Sequence, residues 1–551
     1  MIDRKIVLKR ILLLLVLCYG FFIFGNGIMS LTNPDEVFYT LTAKEMVNHN
    51  TWMTPYLFDQ PQFEKPIFLY WMMRIGFIFL GINSFSARFS PAIFALFGVV
   101  AIYLLALIGF KNEKKAFLSA LILMSSGLYI GLARTVFTDM IFSVFILFSL
   151  AAFYWGYSRK KQSITGILLF YFFSALAVLT KGPLGFLIPF FVVFVFLLIR
   201  KDLKIILSRG SLLGFIIFVF VSVPWYWLMI HKYGATFINE FFYNDHIRRL
   251  LEAEHAFNDT WYFYPASMIF CMFPWSMYVV GGAAYLFKQL KKGLEPFHLF
   301  IGIWIVSVFL AFQFAHSKLT SYIFPVFPAL SLIAADYIYD FAKEQAKKRS
   351  IFYLSLATLF IILIIPVGML VALKTYEVYL SSKILILIPV TSLLVLSGIF
   401  LRFILKRDFL KSSYTVMFLI PAMLFFVPLV KEDIEPYLSS HHASEFLMKN
   451  YSIEGKIICS KFYARGVRYY TGKDVAVMSM GGGNFFSPHP IEFLDTDPAT
   501  RAFLKAQPVT YCVVKKSYAL EDIPRLAGKD YKHTLLRAIG NEYLIKIEPK
   551  E

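Results

Sequence analysis

Apolar runs of about 20 residues recur along most of this chain, separated by short connections whose charge alternates. A run of that length crosses the ~30 Å hydrocarbon core as a helix. Near this threshold about thirteen spans are expected, at about 8–28, 90–110, 116–133, 137–157, 164–180, 184–199, 212–230, 263–287, 298–315, 320–340, 351–372, 384–402 and 414–430. Arg4, Lys5, Lys9 and Arg10 precede the first run and no small-residue cleavage site follows it. That predicts an uncleaved anchor with a cytoplasmic N-terminus. Every second loop is then basic: KNEKK at 111–115, SRKKQ at 158–162, RKDLK at 200–204, KQLKK at 288–292, KEQAKKR at 343–349, and the group Arg402, Lys406, Arg407, Lys411. The positive-inside register therefore holds along the chain. It predicts that 29–89, 134–136, 181–183, 231–262, 316–319, 373–383 and 431–551 lie on the opposite side.

Composition agrees. The 551 residues are 58% hydrophobic and 16% charged, against roughly 45–50% and about 25% in soluble domains. This excludes disordered, disulfide-stapled and collagen-like chains. The net charge of +19 is accounted for by cytoplasmic loops, so no nucleic-acid partner is implied. Of the four cysteines, Cys18 and Cys271 fall in apolar runs, while Cys459 and Cys512 lie in the polar C-terminal segment. No CxxC spacing occurs. The last two are able to pair if that segment is exported, and their spacing does not decide it.

Three of the non-cytoplasmic segments are too long to be mere connectors. In 29–89 the stretch 66–81 (PIFLYWMMRIGFIFLG) is short for a span and holds Arg74, which predicts a helix lying in the interface. Segment 431–551 shows strand-like pieces at 456–460, 474–478, 509–514 and 542–547, with helix-like pieces at 441–450 and 496–506. A small α/β domain is expected there. The fold class is thus an α-helical polytopic membrane protein, with a transmembrane domain over 1–430, including the loops 29–89 and 231–262, and an exported α/β domain over 431–551. No internal repeat is present, which argues against an inverted-repeat transporter.

Charged side chains outside the basic loops carry the functional information. Asp35 and Glu36 stand in NPDEVFY just after the first span, Asp139 opens the fourth in ARTVFTDM, and Glu64-Lys65 precede the interfacial helix. Lys181 in LTKGPLG, Arg248 and Arg249 in NDHIRR, and Lys318 in AHSKLTSYIFP are the basic residues of the same side. Each has a bland reading as a helix cap, a surface ion pair or a snorkelling anchor. Gathered at one interface, they suit an anionic, lipid-linked group. A carboxylate such as Asp35 deprotonates or orients an acceptor, and Lys and Arg stabilise charge on a departing phosphate. Soluble nucleotide sugars suit the cytoplasm, so a sugar on a polyprenyl phosphate fits better. No Walker, Rossmann or HExxH pattern competes. The GGG at 481–483 reads as a flexible loop. His441-His442 reads as an exposed helix start more readily than as a metal site, because neighbouring residues on a helix do not face each other.

NPDE at 33–36, FEKP at 63–66, Asp139, LTKG at 179–182, NDHIRR at 244–249 and SKLTSYIFP at 317–325 together resemble the aminoarabinose transferases that modify lipid A, within the GT-C membrane glycosyltransferases related to protein O-mannosyltransferases. The resemblance implies that Asp35 is the principal catalytic carboxylate, with Glu36 beside it, and that Asp139 is its partner. It implies carrier-phosphate contacts for Lys65, Arg249 and Tyr322, and a structural or inhibitory divalent-metal position at Glu64 and His246. No cofactor is required by the chemistry expected. One departure stands out: the first motif of that family reads P-D-E-x-R-Y, and Phe38 occupies the arginine position here.

The expected function is therefore an inner-membrane glycosyltransferase. It moves a sugar, 4-amino-4-deoxy-L-arabinose or similar, from undecaprenyl phosphate to lipid A on the periplasmic side, among membrane lipids. The rivals are a glycosyltransferase of the same fold acting on protein or polysaccharide, and a lipid transporter. Ionisable residues crowd span ends here instead of mid-span positions, which disfavours the transporter.

Overall fold

The computed structural model describes residues 3–159, 163–254, 256–344, 348–375, 384–480 and 491–550. The GGG at 481–483 lies outside them, as do parts of the 158–162 and 343–349 loops and most of 373–383. The chain divides into two units, one of Met1–Asn26, Phe63–Leu69 and Arg88–Val427, the other of Gly27–Gln62, Tyr70–Ala87 and Pro428–Glu551. The C-terminal boundary thus falls near residue 430. Residues 27–62 and 70–87, expected with the transmembrane domain, fold with the C-terminal unit instead.

Among the described residues nine helices are long and apolar enough to cross a membrane, or ten if one bent pair counts as a span. The protein is a multi-pass membrane protein. The expectation of thirteen is corrected for local reasons. The run 116–133 breaks at Ser125-Ser126 into Glu113–Met124 and Gly127–Ala133, bent by 63°. The runs 184–199 and 320–340 give 17-residue helices, Leu184–Arg200 and Phe327–Lys343, and 263–287 divides into Phe263–Phe270 and Ser276–Lys292. Seventeen residues rise only about 25 Å, just under the bilayer core.

In the first unit Thr138–Tyr157 packs along Ile164–Lys181, which packs in turn along Arg209–Phe237. Small residues allow the first approach, since a Cβ on Gly166 would fall 2.7 Å from Gly156 Cα and from the Ala152 carbonyl. Buried charge is paired: Lys115 Nζ contacts Asp336 at 2.5 Å and Asp340 at 2.9 Å, and His298 Nε2 lies 2.9 Å from Asp336. Lys115 belongs to the KNEKK loop, so that loop braces a helix as well as carrying charge. Buried Trp275 and Trp304 donate their indole N–H groups to Ser125 Oγ and the Pro325 carbonyl, both at 3.0 Å.

The second unit is built on a six-stranded sheet. A two-residue hairpin, β1 (Tyr56–Leu57) and β2 (Gln60–Pro61), precedes it. The sheet strands are β3 (Ile457–Ser460), β4 (Val475–Met478), β5 (Phe493–Leu494), β6 (Thr510–Val514), β7 (Tyr531–Ile539) and β8 (Glu542–Pro549), in the order β5-β4-β3-β6-β8-β7. The first four run parallel, and the β7–β8 hairpin closes the other edge antiparallel. Strands β3, β4 and β6 are buried on both faces and accordingly read as unbroken apolar runs. Helices His441–Asn450 and Lys461–Thr471 cover one face through Ala443, Leu447, Ala464 and Val467. Helices Asp497–Lys505 and Ile523–Ala527 cover the other through Phe503, Leu504, Ile523 and Leu526. Cys459 and Cys512 sit on adjacent strands but belong to opposite cores, and both are free thiols. A bond between them is ruled out because their side chains leave the sheet in opposite directions.

The interfacial segment forms the helix Phe68–Leu80, whose 13 residues rise only ~20 Å. Its Arg74 is buried. The guanidinium donates to the carbonyls of Met46 and Thr51 and to Asn50 Oδ1, and lies 4.2 Å from the Trp52 ring. It thus satisfies the C-terminal end of helix Asp35–Asn48, where a cation is favoured.

Candidate active site

In the second unit, Asp35 is the first residue of helix Asp35–Asn48 and is exposed. Neither Asn33 nor Asp35 caps that helix; Pro34 holds the cap position without a side-chain bond. Glu36 does the local work. It is 1% exposed and accepts from the Thr32 backbone N–H at 3.0 Å and the Thr32 hydroxyl at 2.8 Å. This fixes the turn that presents Asp35. Asn33 is held as well: its backbone N–H donates to the Leu438 carbonyl at 2.8 Å, and its amide donates to Ser440 Oγ at 2.7 Å. Ser440 passes its own proton to Glu542 Oε1 at 2.5 Å. Burial pushes the Glu542 carboxyl up to about 8.

Phe38, at the position of the family arginine, is not without a guanidinium. Arg465 of helix Lys461–Thr471 lies 4.7 Å from the Phe38 ring and donates to the Pro34 carbonyl at 3.3 Å. A guanidinium thus lies beside Asp35's turn, carried by a residue far along the chain.

The first unit gathers most of the other candidates. Lys181 ends its helix and contacts Asp139, in the first turn of Thr138–Tyr157, at 2.5 Å. The same ammonium lies 4.5 Å from the Tyr322 ring. Arg249 donates to Tyr322 Oη at 2.9 Å, contacts Asp245 at 3.1 Å one helical turn back, and reaches Glu254 at 2.9 Å. Lys65 donates to both carboxylate oxygens of Asp245 at 2.8 Å and to the Glu64 carbonyl at 3.0 Å. Asp245 and Arg249 sit at the end of the π-helical stretch Ile238–Arg248, a wider winding that recurs at functional sites. Asp245 therefore joins Lys65 to Arg249, and sequence reasoning missed it. Its signal was present in NDHIRR, but an acid next to two arginines reads as simple neutralisation.

Two expected members point elsewhere. Arg248 pairs with Glu252 at 2.8 Å, and Lys318 is held by Asp259 at 3.0 Å and the Thr260 carbonyl at 3.2 Å. His246 lies against Gly182, whose φ of +90° and lack of a Cβ permit the approach: a Cβ there would fall 2.4 Å from His246 Nε2. His246 Nδ1 is 2.7 Å from the Phe241 carbonyl. Among the described residues, three clustered metal-ligand side chains occur at Glu435, His441 and His442. The histidine pair is half-buried with rings 5.4 Å apart, not the exposed helix start expected.

The family profile of dolichyl-phosphate-mannose-protein mannosyltransferases matches residues 7–235. The solved structure of ArnT from Cupriavidus metallidurans bound to undecaprenyl phosphate superposes with a TM-score of 0.76 at 20% identity, over 97% of both chains. The fold, a helical membrane unit with an α/β unit, is thus the GT-C fold of that structure. An uncharacterised protein of Aquifex aeolicus is 31% identical over 63% of this chain and 68% of its own length. The undecaprenyl phosphate-alpha-4-amino-4-deoxy-L-arabinose arabinosyl transferase 2 of Proteus mirabilis is 29% identical over 58% of this chain, which spans 57% of that relative. Among its relatives the chain resembles aminoarabinose transferases at 28–30% identity, over less than two thirds of their length.

Proposed function

We propose that this protein transfers 4-amino-4-deoxy-L-arabinose, or a closely similar sugar, from undecaprenyl phosphate to lipid A, at the periplasmic face of an inner membrane. The observation that carries the reading is the group of three half-buried cations, Lys65, Lys181 and Arg249, each paired with a buried or half-buried acid in a helical membrane protein. Charge at such depth is costly unless it has work to do. The names of the Proteus relative and of the Cupriavidus structure supply the sugar and the carrier. The loop charges read from the sequence supply the orientation.

The reaction is a displacement with inversion at the anomeric carbon. The acceptor oxygen forms the new bond as the bond from that carbon to the carrier phosphate breaks, and the electron pair leaves with the phosphate. Asp35 orients the acceptor and takes its proton if one is present. Glu36 holds the turn that presents Asp35, and Asp139 fixes Lys181. Lys65 and Arg249, set by Asp245, meet the charge on the departing phosphate without having to reorganise, and Tyr322 lies beside Arg249. This account calls for no metal. A divalent ion at Glu64 and His246 would act by inhibiting or stiffening the site.

The test is mass spectrometry of lipid A from cells with the gene, without it, and with Asp35→Asn. The expected result is a sugar-sized mass that appears only with the intact protein, while the Asp35→Asn protein accumulates folded and inactive. Transfer retained by Asp35→Asn overturns the catalytic assignment. Lipid A unchanged by the intact protein overturns the acceptor.

A further inference from the structure

We propose that Glu435, His441 and His442 form a divalent transition-metal site, suited to zinc, in the C-terminal unit. Glu435 is on the short helix Lys431–Leu438 and is fully buried. Its Oε2 lies 3.2 Å from His442 Nε2, and one donor atom from each of the three side chains lies within 4.8 Å of the others. His441 Nδ1 is buried and has no hydrogen-bond partner among the described residues. An imidazole nitrogen in that state is costly to bury, and a metal ion would use it. The unpartnered nitrogen of His441 is Nδ1 and the nitrogen that His442 turns to Glu435 is Nε2, and binding through these different nitrogens would let neighbours in sequence address one point. Two nitrogens and a carboxylate are a donor set that zinc accepts, with bonds of ~2.0–2.2 Å and an open fourth position. Such bonds set donors about 3.4 Å apart, so the group closes by roughly an ångström on binding. Lys431 Nζ, 3.6 Å from Glu435 Oε2, and Glu432, 3.9 Å from His442 Nε2, are the charges that face the group. The metal replaces the lysine as countercharge, and exposed Glu432 is placed to supply the fourth ligand.

The site has a mechanical consequence. The other oxygen of Glu435 accepts from the Ser30 backbone N–H at 2.5 Å, and Ser440, next to His441, holds Asn33. An ion bridging Glu435 to the two histidines pins two helices to the segment that leads into Asp35. The inference does not depend on which sugar or acceptor the enzyme uses.

The test uses the full-length protein in detergent, stripped of metal with EDTA and titrated with Co²⁺. One Co²⁺ per chain is expected, with the visible absorption of a tetrahedral nitrogen–oxygen site, displaced by Zn²⁺. His441→Ala and His442→Ala should each weaken it at least about tenfold, whereas His246→Ala should leave it unchanged. No Co²⁺ retained after desalting, or binding unaltered in both variants, overturns the proposal. If either variant fails to fold, the wild-type protein decides alone. X-ray absorption showing two imidazoles and a carboxylate on cobalt supports the site, and an all-oxygen octahedral ion overturns it.

Discussion

Half-buried Lys181 and buried Asp139 form an ion pair, each side chain less than 15% exposed. Removing one member of such a pair leaves an uncompensated charge, at a cost of ~3–5 kcal/mol. Lys181→Met and Asp139→Asn are each expected to lower the melting temperature in detergent, and the double variant to recover part of the loss; equal, additive losses would show the two to be independent. Asp139, Lys65, Lys181 and Arg249, which the structure places in ion pairs, drew attention in the sequence because charged residues border apolar runs where membrane chains seldom allow them. Asp245 and Arg465 did not. Asp245 gains its meaning from Lys65, 180 positions away, and Arg465 from Pro34, 431 positions away. No local pattern announces pairings of that range.

Between the helices Ile164–Lys181 and Leu184–Arg200 the chain turns through Gly182 at φ +90°. Gly182→Ala should cost about 1–3 kcal/mol for the backbone alone, and the new methyl group would displace His246. Thermal melting and transfer activity should fall together. A second element carries a pH dependence. Glu542 opens β8 with its carboxyl raised to about 8 by burial, whereas the unfolded chain titrates it near 4.3. The folded state thus binds the extra proton between these values, and stability falls as pH rises from about 4 to about 8. Glu542→Gln, which keeps an acceptor for Ser440 without the charge, should flatten that part of the melting-temperature profile and raise stability at pH 8. At this scale the sequence revealed most elements and blurred their ends. Strands β3, β4, β6 and β8 and helix His441–Asn450 fall where apolar runs and periodicity put them. Helix Lys461–Thr471 (KFYARGVRYYT) escaped notice because its buried face is made of Tyr, Ala, Gly and Val set among arginines. β7, with its surface largely exposed, has no apolar stripe to reveal it.

At the scale of the chain, the second unit is assembled from segments far apart in sequence. A protein ended after Val427 would therefore lose more than its sheet. Residues 27–62 would be stripped of Leu438, Ser440, Arg465 and Arg468, which hold Asn33, Pro34 and Asp59. Limited proteolysis should cut that protein within 27–62 while sparing the intact one, and its transfer activity should be absent. The sequence shows a membrane region and a C-terminal domain, but not that the first long loop belongs to the latter. That membership rests on backbone and side-chain hydrogen bonds, which leave no mark on composition or hydropathy.

Synthesis adds a timing to this arrangement. The backbone N–H of Ser30 emerges from the ribosome 405 residues ahead of Glu435, its acceptor. At about 5–20 residues per second, roughly 20–80 seconds separate the two. During that interval the loop bearing Asp35 waits without the partners that shape it. A nascent chain that has already inserted most of its helices thus still lacks the contacts that hold the turn bearing Asp35.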